Sequence, residues 1–133
     1  MTNSIAGLTL AAAVLAAGAG YAQDPAHGET YYSQYCATCH GQSGKGDGPL
    51  TQMMTSVVPD LTQLSANNDG AFPMLEVIHI IDGRTGLRSH GGPMPVYGAL
   101  FTEESGSDSA YGDVLYSRGK VLSIAYYLEN IQE

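Results

Sequence analysis

Tryptophan is absent from this 133-residue chain, and phenylalanine occurs only twice. Basic side chains are scarce as well: 5 Lys and Arg stand against 13 Asp and Glu, a formal net charge of -8. Such a chain cannot neutralise a phosphate backbone, which argues against nucleic acid as a partner. The two cysteines are too few for a disulfide-rich scaffold. What is abundant is glycine, 17 residues of it, which implies long loops. The length has room for one ordinary domain. Apolar residues reach 44%, but few of them are large. A domain of this make-up needs something besides its own side chains at the centre of its core.

No charged side chain precedes Asp24. The run from Ile5 to Ala19 is apolar and small, and Gly20–Tyr21–Ala22 suits cleavage before Gln23, so residues 1–22 are expected to be a secretory signal. The competing reading is a retained membrane anchor. Ile5 to Ala22 would make a helix of about 27 Å, marginal for a span, and Ala and Gly partition into lipid weakly. Either way the remainder, residues 23–133, is expected to be exported as a single domain.

Along that domain the helical signals are clear and strand signals are missing. Asp24–Pro25 suits a capped helix start, with a first helix through about Ala37. Residues 41–48 hold four glycines and read as a polar loop stiffened at its exit by Pro49. Pro73 opens a second helix, with Leu75, Ile78 and Ile81 on its inner face and Gly83 at its end. Residues 84–98 and 103–112 read as loop. The last helix carries Val121, Ile124, Ala125, Leu128 and Ile131 at three- and four-residue spacing. The expected class is all-α: few helices and long loops.

Both cysteines fall in Cys36–Ala37–Thr38–Cys39–His40. Five residues in this order are the attachment signal for a c-type haem. Two thiols one helical turn apart reach the two vinyl groups on one porphyrin edge, and the adjacent imidazole lies under the iron. Other chemistries fit this pair of cysteines less well. A Cys36–Cys39 disulfide closes too small a loop to stabilise much. A thioredoxin-like pair needs a βαβ setting. A zinc site needs further ligands, and His27, His79 and His90 lack finger-like spacing.

The chain here resembles the small monohaem class I cytochromes c of the bacterial periplasm. The likeness rests on Gly28 and Tyr32, the Cys36–His40 box with Gly41, Gly48–Pro49–Leu50, Gly92–Pro93–Met94–Pro95, and Ile124 to Leu128. It spans about residues 25 to 133. The resemblance implies the class I cytochrome c fold, wrapped around one haem c held by Cys36 and Cys39. It also implies iron ligation by His40 and Met94. Met94 lies 54 positions beyond His40, in a loop that Pro93 and Pro95 stiffen. His90 is the alternative sixth ligand and would give a lower potential, since Met/His ligation raises it; His79, among isoleucines, reads as a half-buried helix residue. The family uses a proline carbonyl to orient the ligand histidine, and Pro49 matches that place. Arg84 resembles a position that pairs with a haem propionate. Gly28, Tyr32 and Tyr127 resemble the family's crossing of first and last helices.

The function expected is that of a periplasmic one-electron carrier, not an enzyme, with His40 and Met94 on the iron and no small-molecule substrate. Its partners would be redox proteins, met transiently by a monomer, with membrane contact only if the N-terminal segment is retained. Two other readings are a haem subunit or dedicated acceptor of one periplasmic dehydrogenase, and a gas-binding haem protein with an open sixth position.

Overall fold

The computed structural model describes residues 25–84 and 94–133. The expected signal over residues 1–22, the Asp24 cap, and Gly92, Pro93 and His90 lie outside the described residues. Five α-helices follow in order: α1 (Pro25–Tyr35), α2 (Ala37–His40), α3 (Met74–Asp82), α4 (Tyr97–Glu104) and α5 (Ala110–Asn130). Short 3-10 helices occupy Pro49–Met53 and Leu61–Gln63. Among the described residues there is no strand, and no helix is long and apolar enough to cross a membrane.

Helix α1 was expected to run unbroken to about Ala37, but it yields to α2 at Cys36. The Cys36 carbonyl accepts from the amides of both Cys39 and His40, at 3.1 and 2.9 Å. That shared acceptor tightens the turn and sets the two cysteines and the histidine on one short helical step.

The scaffold is the crossing of α1 and α5. Gly28 permits it: a Cβ there would collide with the Ser123 carbonyl and crowd Tyr127. One turn on, the rings of Tyr32 and Tyr127 meet with centroids 5.0 Å apart. The face of α5 turned inward is the expected one: Val121, Ile124, Ala125 and Leu128 are buried, and Ile131 is half-buried. On α3 the inner face differs from expectation. Val77 and Ile81 are buried, whereas Leu75 is 66% exposed. Gly83 does end that helix, in the left-handed region at φ 85°.

Residues 103–112 are less loop-like than their polarity suggests. Glu104 is still in α4, and Ser109 caps α5 by accepting from the Gly112 amide at 3.1 Å. Polarity there reflects solvent exposure of helical turns, so only 105–109 is left as connection. Helix α4 also brings in Phe101, fully buried, worth roughly 1.5–3 kcal/mol in removal of its ring from water.

Candidate functional site

Between this scaffold and residues 54–64 lies a cavity of about 300 Å³ whose wall is mostly apolar. That is within the range of ligand and cofactor sites. Its lining includes Cys36, Cys39 and His40 on one side and Met94 on the loop before α4. Helix α3 contributes Val77, Ile80 and Ile81 to the wall, and His79 is not among the lining residues. Thus the four side chains expected to hold a haem share one space, although Met94 is 54 residues from His40 in sequence.

The chemistry of each group suits that role. Cys36 and Cys39 are free thiols, not a disulfide. Burial, with Cys39 adding to it, pushes the Cys36 thiol up to about 12. Among the described residues there is no strand, so the βαβ setting of a thioredoxin-like pair is missing. Zinc fares no better: among the described residues no three His, Cys, Asp or Glu side chains group to hold a metal ion.

His40 is buried, and its Nδ1 lies 3.3 Å from the Pro59 carbonyl. A carbonyl only accepts, so Nδ1 carries the proton and Nε2 is left with its lone pair. Burial lowers the His40 pKa, with the Pro59 hydrogen bond acting in the opposite direction. The ring is therefore neutral near pH 7 and competent to bind a metal.

The orienting carbonyl is a correction. Pro49 was expected in that place, but Pro59 fills it. Gly48 donates to the Cys39 carbonyl at 3.1 Å and sits so close to Thr38 and Cys39 that a Cβ would clash with their backbone. Pro49 then starts a 3-10 helix that leads away, and it is exposed. The chain returns later, when the Leu61 amide bonds to the Gly44 carbonyl at 2.7 Å and brings Pro59 to His40. The sequence signal was there: Asp60 follows Pro59 and caps the next turn, accepting from the Thr62 amide at 2.8 Å.

Arg84 forms an ion pair with Asp82 at the end of α3. The Gly28, Tyr32 and Tyr127 crossing stands as expected. Tyr32 does more than fill it: its hydroxyl donates to the Gly41 carbonyl at 2.7 Å, tying α1 to the exit of the cysteine box. Sequence reasoning missed Tyr35 and Tyr97, whose rings line the cavity and meet edge-to-face at 6.0 Å.

Helices crossing through a glycine, two free thiols and a carbonyl-oriented imidazole beside an apolar cavity define a class: a small all-α protein with the residues to hold a planar cofactor covalently. The family comparison gives the same class a name. The model of the cytochrome c family matches residues 25–106, and the chain belongs to that family. Its members carry electrons on a c-type haem, and Cys36, Cys39 and His40 have the spacing of the attachment box. No curated protein and no solved structure matches the chain significantly.

Proposed function

We propose that this protein is a periplasmic one-electron carrier, with one haem c joined to Cys36 and Cys39 and ligated by His40 and Met94. The carrying observation is the convergence of those four side chains on one apolar cavity. A c-type haem supplies reversible transfer of a single electron, and its potential follows the axial ligands, their hydrogen bonds and burial. The chain's own residues set those terms. Pro59 holds the His40 proton on Nδ1, the apolar wall excludes water, and a thioether rather than a second imidazole on the iron favours the reduced state.

Export is supported by the uncharged apolar run before Asp24 and by the chemistry of the box, because covalent haem attachment in bacteria takes place outside the cytoplasmic membrane. Partners would be redox proteins, met in small transient encounters. The charge of -8 suits steering toward basic surfaces.

The test is expression in a host competent for haem maturation. A pyridine haemochrome assay on the purified, denatured protein is expected to report one covalent haem per chain, and N-terminal sequencing a start at Gln23. The oxidised protein is expected to show the near-infrared methionine-to-iron band, lost in Met94→Ala. Absence of covalent haem would overturn the proposal. A high-spin ferrous form that binds CO quickly would replace it with the gas-binding reading.

A further inference from the structure

Met94 stands three residues before α4, so the placing of that helix decides where the thioether sits. Helix α4 has only eight residues, too few to be stable on its own in water. Its position must come from its neighbours, and it is tied at both ends. At the start, the Tyr97 hydroxyl donates to the Tyr35 carbonyl at 2.6 Å, and the Gly98 carbonyl accepts from Ser117 Oγ at 2.9 Å. At the end, Glu104 Oε2 accepts from Lys120 Nζ at 2.7 Å and from the Tyr35 hydroxyl at 2.9 Å. Lys120 Nζ also donates to that hydroxyl at 2.9 Å, which closes a triangle across α1, α4 and α5.

The triangle is costly in kind. Lys120 is only 4% exposed, and lysine is rarely buried so deeply without a partner. Its ammonium lies 4.3 Å from the Phe101 ring centroid and 4.5 Å from that of Tyr35, with Tyr31 and Tyr116 at 5.0 and 5.4 Å. A buried ion pair is seldom the most stable filling of such a space; its best-attested use is to fix register. Apolar contacts along α4 are non-directional and tolerate sliding or rotation. Hydrogen bonds to a single carboxylate and a single carbonyl do not.

We infer that Lys120, Glu104, Tyr35 and Tyr97 form a latch that sets the register of α4 and thereby holds the Met94 thioether in place. None of the latch bonds involves an iron ligand, so these are positioning residues. The inference rests on Met94 being the sixth ligand, as proposed above.

The test uses the oxidised holoprotein and an external competitor for the sixth position, imidazole. In Lys120→Met, which keeps the bulk and removes the charge, imidazole is expected to bind at least about fivefold more tightly, because the Met94-bound state is less populated. The near-infrared methionine band is expected to fade on heating before far-UV circular dichroism reports helix loss. Tyr97→Phe removes one hydroxyl and should shift both readouts the same way by less, and it carries the test if Lys120→Met does not fold. A merely structural latch would lose band and helices together, with imidazole affinity unchanged in both variants; that result overturns the inference. Met94→Ala separates the two levels: if it keeps the band, the ligand assignment itself fails and the latch falls with it.

Discussion

The α1–α4–α5 side of the molecule and the arm from residue 41 to 72 are built on different physics. On the helical side the core is closed by its own side chains: Tyr32, Phe101 and Ala125 are fully buried and Ile124 is 1% exposed. In the arm, Thr62 is the buried side chain with real bulk, while Met53 is 82% and Val57 95% exposed. The arm is held by backbone bonds instead, such as Gly46 to the His40 carbonyl at 2.9 Å and Leu61 to that of Gly44 at 2.7 Å. Those bonds fix a path but bury little apolar surface, and burial supplies most of the stability of a fold. The helical side packs its helices against one another and lends Tyr32, Ile124 and Leu128 to the cavity wall. The arm is a wall shaped to be covered by a cofactor.

The sharpest way to break that comparison is to remove the cofactor's anchors. In Cys36→Ser combined with Cys39→Ser, covalent haem is expected to vanish, and amide protection in the arm to drop by roughly two orders of magnitude. Protection at the α1–α5 crossing should persist, read by hydrogen exchange. Equal loss on both sides would mean that the helices depend on haem as much as the arm does.

A smaller effect probes the helical side alone. Gly28→Ala in the holoprotein places a methyl against the Ser123 carbonyl, and overpacking of this kind is expected to cost about 2–3 kcal/mol. Denaturant unfolding should show a lower midpoint with unchanged slope. A loss below about 0.5 kcal/mol, the usual size for an unconstrained surface position, would mean the crossing is looser than it looks.

The smallest expected effect is electrostatic. Burial works against the charge on Lys120, but hydrogen bonds with Glu104 and Tyr35 outweigh it and raise its pKa above the ordinary 10.5. Its contribution is therefore complete below that value and lost as pH rises through the raised one. The Lys120 hydrogen bond holds Glu104 below its ordinary 4.5, so that contribution is complete above 4.5 and lost as pH falls through the lowered value. Melting temperature against pH should show both limbs in the natural protein, with the alkaline one reduced in Lys120→Met and the acid one in Glu104→Gln. Unchanged limbs in both variants would show that the pair adds nothing measurable.

The two regions also differ in how far they could be read without coordinates. The cysteine box, the α5 stripe from Val121 to Leu128 and the Gly28 crossing were legible, because each depends on spacing within a few residues or on one residue type at a contact. In the arm the reading failed at His40's partner. Pro49 and Pro59 are both prolines downstream of the box, and only the path of the chain between them decides which carbonyl returns. Helix α4 was overlooked because its eight residues carry no strong period; its partners lie on α1 and α5, far off in sequence.

By itself the sequence determined the attachment box, two thiols and an imidazole at one-turn spacing, in a chain with no tryptophan and only two phenylalanines. It also determined the all-α class, since helical periodicity and caps are local properties of the chain. The tertiary structure alone decided which carbonyl orients His40, that Met94 faces the same cavity, and that a buried lysine ties three helices together. Those are contacts between residues tens of positions apart, and they depend on where loops close in space, which no local pattern encodes.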